Sequence, residues 1–312
     1  MSLLTRRDFH KRALAAAAAG LALPMARAED AAPAGKYVDF HTHLGQPWGQ
    51  RPELTVDDLL RWMDNHAILK AVVLPLVSPE SYDYVITPDY VLDKTKPHRD
   101  RLIPFCSIDP RTVNLGSYEA KRDLLLRYVE AGAKGFGEHK TGIAIDDPRN
   151  IEVFRACTET KLPILFHMDN QRNMDSPGLP GLESVLKQFP DGIFIGHANG
   201  WWASIDGDCT QEEMQQYPDD PVTPGGAIDR LMDAYPNLYG DLSAGSGANA
   251  IMRDMAFGRE FVIRRADRLL WATDFLAPGQ NVPQLNLYDT LELPEEVQAK
   301  VFRENARRLL NL

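Results

Sequence analysis

Short apolar runs rich in Val, Ile and Phe punctuate the chain at a nearly constant pitch. They read YVDFHTH from Tyr37, AVVLPLV from Ala71, LIPFCSI from Leu102, AKGFGEH from Ala133, PILFHMD from Pro163, IFIGHA from Ile193, LYGDLS from Leu238 and LLWATDF from Leu269. Successive starts lie 30–34 residues apart, except for 45 between the sixth and the seventh. An interval of that size holds one buried strand and one crossover helix, the βα unit. The stretches between carry helix signals: Thr55 with Asp58 imitates a capping box ahead of Val56, Leu59, Leu60 and Met63, and Asp147 followed by Pro148 opens another helix. Leu115 to Ala131 and Glu295 to Leu310 each keep apolar residues on one face. Eight strands alternating with helices predict a closed α/β barrel, (β/α)8, rather than an open sheet. One barrel domain over residues 37–312 is therefore expected, behind a Pro/Ala/Gly-rich linker at 29–36.

The long interval adds roughly a dozen residues, 201–226, to an ordinary connection, at the end of the barrel where active sites sit. Trp201, Trp202, an acidic middle and Pro218, Pro221 and Pro224 predict a stiffened, lid-like insertion, with a passive surface loop as the alternative.

Composition changes little in this picture but removes some partners. At 312 residues, 44% hydrophobic and 25% charged, the chain is ordinary globular material with a sizeable core. A net charge of −10 opposes a nucleic-acid backbone, so nucleic acid is excluded as a partner. Cys106, Cys157 and Cys209 are too scattered for a disulfide framework or a zinc knuckle and read as structural thiols.

The first 28 residues are different in kind. A basic stretch leads into the Ala/Leu-rich run Ala13 to Leu23 and then to Ala26 and Ala28, the layout of a cleavable signal. Arg6 and Arg7, followed by Phe9 and Lys11, resemble the twin-arginine signal that directs folded proteins to an export machinery. Cleavage after Ala28 would leave a periplasmic or secreted protein of net charge −14, with no lipid-anchor cysteine and no stable membrane insertion. Nothing in the pattern sets an oligomeric state.

The candidate chemistry lies where barrel strands should be apolar. Alternation places Asp39, His41 and His43 on one face of the first strand, pointing into the barrel. Two imidazoles two residues apart at a strand end reach one ion. His167, His197 and Asp274 end the fifth, sixth and eighth strands. Burying this set is costly unless it is paired or metal-bound, and no matching set of Arg or Lys lies beside it. His10, His66 and His98 fall in the signal, a helix and a loop and are left out.

The motifs DFHTH, FHMD, IGHANG, ATDF and the terminal ENARRLL together resemble the amidohydrolase superfamily, its amidohydrolase 2 branch in particular, over the whole mature chain. That branch includes metal-dependent hydrolases and nonoxidative decarboxylases. The resemblance implies that His41, His43, His167 and Asp274 bind a divalent metal, usually zinc, and that His197 polarises substrate or shuttles a proton. In strand four, Glu138 and Lys140 share one face with His139 on the other. Members with two ions bridge them with a strand-four carboxylate, which would make Glu138 and His197 second-ion ligands. With one ion, Glu138 would instead bond substrate or a ligand histidine and Lys140 would clamp an anion.

The implied reaction is hydrolysis of a small carbonyl-containing compound, an amide, lactone or ester, with Asp274 moving the proton of the attacking water and His197 steadying the oxyanion. Trp48, Trp201 and Trp202 follow strand ends and are candidates to wall an apolar ring, and Arg172 to pair with a carboxylate. A decarboxylase of an aromatic or unsaturated acid, and a catalytically silent metal- or solute-binding barrel, are the alternatives.

Overall fold

The computed structural model describes residues 35–112 and 116–312. The expected export signal, the expected linker up to residue 34 and Leu115 lie outside the described residues. The eight strands are β1 (Tyr37–Thr42), β2 (Ile68–Val73), β3 (Leu102–Pro104), β4 (Phe136–His139), β5 (Ile164–His167), β6 (Phe194–His197), β7 (Leu238–Asp241) and β8 (Leu269–Leu270). Every neighbouring pair from β1 to β3 and from β4 to β8 is parallel. Parallel bridges from Cys106 to Phe136 and from Thr42 to Phe275 join the two stretches, so the sheet closes into the (β/α)8 barrel. Helices form where the sequence signals them. Thr55 accepts from the Asp58 amide at the start of Val56–Asn65, Asp147 caps Pro148–Glu159, and Tyr118–Glu130 follows Ser117. Among the described residues no helix is long and apolar enough to cross a membrane.

Alternation along the strands splits the core in two. Leu165, Ile195, Leu270 and Ala272 join Val38, Phe40, Val72, Leu74, Ile103 and Phe105 in the cluster that fills the barrel. Ile164, Phe166, Phe194, Leu238 and Leu269 belong to the larger layer beneath the helices. Glycine makes room where large rings cross: a Cβ on Gly135 would lie 2.2 Å from the Phe105 ring, and one on Gly196 2.3 Å from the Trp201 ring.

Two strands break the alternation. The register shifts between Asp39 and Thr42 in β1 and between Phe136 and His139 in β4. Val38 and Phe40 already face inward, so regular pleating would turn His41 and His43 out. The irregularity swings them back in, the use to which bulges beside active sites are put. Asp39 does not share their face as expected. Its carboxylate instead accepts from the Thr273 amide (3.0 Å), the Thr273 hydroxyl (2.6 Å) and the His41 amide (3.1 Å), fastening β1 to the segment after β8.

The C-terminal helix also departs from a single run. Glu295–Ala299 and Asn305–Leu310 are separated by a π-helical turn at Lys300–Glu304. There the Val301 carbonyl accepts from the Trp271 amide at 3.0 Å, drawing a helix carbonyl to the end of β8. All three cysteines are free thiols, with Cys106 and Cys157 buried.

Candidate metal centre

The strand ends gather a cluster at one mouth of the barrel. His41 Nε2 and His43 Nε2 lie 3.1 Å apart. Asp274 Oδ1 is 3.4 Å from the first and 3.3 Å from the second, and Glu138 Oε2 is 3.7 and 3.5 Å from them. A tetrahedral ion with bonds of about 2.0–2.1 Å needs donors spaced about 3.4 Å apart. The tautomers agree with that use. His43 Nδ1 donates to the Leu74 carbonyl at 3.0 Å and His41 Nδ1 to Asp241 Oδ2 at 2.7 Å, so the two Nε2 atoms face each other. Two Nε2 lone pairs at that distance repel unless a cation stands between them, either a proton on the strongly basic His41 or a metal ion.

Glu138 Oε2 supplies a second indication. It is buried without an aligned hydrogen bond, although Lys140 Nζ is only 3.0 Å away; the short separation is an ion pair rather than a directed bond, and leaves the oxygen free toward the histidines. The donor set therefore fits a divalent cation. Asp274 is aimed by a left-handed backbone (φ 56°), its amide donating to the His41 carbonyl at 2.8 Å.

Charge balance follows from the same contacts. Burial opposes ionisation of Glu138, but Lys140, His167 and His41 outweigh it and hold the carboxyl well below the ordinary range. Burial likewise opposes the anionic form of Asp274, yet His41 and His43 bring it down to about 2. Desolvation disfavours charge on His41, whereas Asp274 and Asp241 raise its pKa well above the usual value. His197 shifts down, first through burial and then through repulsion from His41.

His167 has both nitrogens against carboxylates, Nδ1 2.7 Å from Glu138 Oε1 and Nε2 3.0 Å from Asp169 Oδ2, and it is Glu138 that lies beside His41, His43 and Asp274. Convergent donors form three groups among the described residues, His41 with His43 and Glu138, Glu138 with His167 and His197, and His41 with His197 and Asp241, so Glu138 belongs to two of them. Asp169 also takes Arg172, whose Nη1 donates to Asp169 Oδ2 at 2.5 Å while Nε and Nη2 donate to the Glu80 carbonyl. Arg172 is thus tied into the wall by three internal bonds rather than held free for a substrate carboxylate.

Lys140 and Trp48 lie together at the mouth, with Nζ 5.8 Å from the Trp48 ring centroid. Trp201 and Trp202 do not wall it. They are 0% and 2% exposed; Trp201 packs edge-on to Phe166 in the groove over Gly196, and Trp202 Nε1 donates to the Asp241 carbonyl at 2.9 Å. Their short helix, Asn199–Ala203, returns them to the core directly after β6. Trp201→Ala is expected to cost about 3–5 kcal/mol of stability, the scale of an emptied core aromatic site. Chemical denaturation checks this, and a change confined to substrate affinity would contradict the core role. What the insertion does bring near the centre is Tyr217, whose phenol is pushed up by burial and then by the charge of Asp274.

Asp241, at the end of β7, was not among the residues expected at the site. Its fully buried carboxylate touches both His41 and His197. The only signal in the sequence is an acid closing the run LYGDLS. His66 and His98 stand apart, the former bonded to the Trp62 carbonyl.

A (β/α)8 barrel with convergent histidines and carboxylates at one set of strand ends defines a class of barrel proteins built around a candidate metal site. Within that class the family is specific: the amidohydrolase model Amidohydro_2 matches residues 38–312, and the chain belongs to this family. No curated protein matches the chain. Among solved structures it resembles an uncharacterised TIM-barrel protein from Bordetella bronchiseptica (15% identity, TM-score 0.63, covering 88% of this chain and 98% of that one). It is also similar to a probable 2-pyrone-4,6-dicarboxylic acid hydrolase from Acinetobacter baumannii (13%, 0.59, 89% and 100%). A third is a 5-carboxyvanillate decarboxylase from Novosphingobium aromaticivorans complexed with manganese (16%, 0.54, 88% and 96%).

Proposed function

We propose that the protein is a metal-dependent hydrolase of a small carbonyl-containing compound, with His41, His43, Glu138 and Asp274 holding the ion. The observation that carries this reading is the pair of facing Nε2 atoms, 3.1 Å apart, closed in by two carboxylates. A divalent ion there, with zinc expected, supplies Lewis-acid polarisation of a carbonyl and acidifies water. The chain does the rest. Asp274, ionised at neutral pH and with its side chain 18% exposed, is the acid of this set that substrate reaches, and it takes the proton of the attacking water and returns it to the leaving group. His197 is neutral with its Nε2 lone pair inward, so it accepts a proton first and steadies an oxyanion only once charged. Lys140 and Trp48 meet the rest of the substrate at the mouth.

Lys140 beside Trp48 also favours a second reading, decarboxylation of an aromatic acid, the kind of reaction named for several structural relatives. The decisive experiment is a screen of metal-loaded protein against lactones, amides, esters and aromatic acids. Hydrolysis products support the first reading, carbon dioxide the second, and binding without turnover leaves a silent barrel.

Metal analysis of the purified protein is expected to give one ion per chain; two would recruit Glu138, His167 and His197 as a second site. Chelation is expected to lower Tm by roughly 5–10 °C, taking about 2.7 kcal/mol for a site saturated at a hundred times its Kd. An unchanged melt would remove the ion from the native state.

A further inference from the structure

Asp241 holds two histidines with different tasks. Its Oδ2 is 2.7 Å from His41 Nδ1 and 3.1 Å from His197 Nδ1, and it also accepts from the Ser243 hydroxyl at 2.9 Å. Oδ1 is occupied by the Ser243 amide at 2.9 Å. The Ser243 hydroxyl lies 3.1 Å from His197 Nδ1 and 3.4 Å from His41 Nδ1, completing a closed knot in which every atom is buried. The backbone beneath is pinned as well, because the core indole of Trp202 donates to the Asp241 carbonyl.

We propose that Asp241 is a positioning residue that fixes the tautomer and the aim of His41 directly and of His197 through the Ser243 hydroxyl. A carboxylate only accepts, so His41 Nδ1 carries the proton; the Ser243 hydroxyl gives its own proton to Asp241 and so accepts from His197 Nδ1, and each Nε2 is turned to the centre of the barrel. The two rings stand 4.5 Å apart between centroids, tilted by 52°, and share this one anchor. The ion-holding and proton-handling histidines are therefore set together, and neither is re-aimed without the other. The proposal rests on the metal-centre reading above for the meaning of the Nε2 face, but the ring tautomers are a separate observable.

Asparagine cannot replace this carboxylate. With its oxygen toward the histidines, its NH2 faces the Ser243 amide, donor against donor; flipped, it presents NH2 to the His41 Nδ1–H and the Ser243 O–H. The test uses the full chain with 15N-labelled histidine, metal-free and at alkaline pH where the rings are neutral, with long-range 1H–15N spectra assigned by omission in His41→Ala and His197→Ala. Zinc affinity is measured in parallel by chelator competition. In the wild type both rings are expected to carry the proton on Nδ1. In Asp241→Asn one or both signals move to the other tautomer and zinc binds about 10–100-fold more weakly. A wild-type ring protonated on Nε2, or an Asp241→Asn protein with unchanged tautomers, overturns the proposal. The wild-type spectrum decides even if the variant does not fold. A wild type that binds no zinc but shows both Nδ1 protons sinks the metal reading and leaves the role of Asp241 standing.

Discussion

Glu138→Gln is expected to weaken ion binding on the order of 10³-fold, more than replacing His167 or His197. The substitution keeps the side chain's volume and removes its charge. Glu138 is the carboxylate that belongs to two of the donor groups, buried, and paired with Lys140, His167 and two ion-facing histidines. Breaking a buried charged arrangement on one side costs about 3–5 kcal/mol, and each 1.4 kcal/mol is tenfold in affinity. Chelator competition and elemental analysis of the purified variant provide the measurement. Glu138→Gln protein that retains a full complement of ion would show that the carboxylate only balances Lys140.

His197→Ala is expected to do the opposite: turnover falls by about 10²–10⁴, the scale of a lost proton-transfer group, while the ion stays. His197 Nε2 is 3.5 Å from Glu138 Oε1, on the far oxygen from the quartet, and its Nδ1 faces Asp241. Activity and metal content measured on one preparation separate the two roles. An ion lost together with activity would make His197 a ligand.

Much of this site could be read from the chain before it was seen folded, because strand-terminal polar residues in a barrel have few places to go. His197 and Asp274 fall where alternation and strand spacing put them, whereas His41 and His43 reach the same mouth only through a break in the pleating of β1. The reasons for the remainder lie in backbone detail. The slip of register between Asp39 and Thr42 reverses which residues of β1 face inward, and no pattern of hydrophobic positions encodes it. His167 stands at the predicted strand end, but whether its nitrogens meet an ion or two carboxylates depends on how Glu138 and Asp169 turn. Trp201 and Trp202 look like mouth residues because they follow a strand. The telling residue was Gly196, whose missing side chain opens the groove that receives the Trp201 ring. Asp241 is not legible in the chain because a single acid after a tyrosine and a glycine carries no motif, although it ends a strand as its partners do.

The seam that Asp39 ties has a temporal consequence. The donors at 41 and 43 emerge early in synthesis, whereas Asp274, and Thr273 that locks it to β1, come more than two hundred residues later. At ribosomal speeds of about 5–20 residues per second, the nascent chain carries its first histidines exposed for ten seconds or more before the last donor exists. The complete set of proposed donors therefore exists only once synthesis has passed Asp274 and the ring has closed.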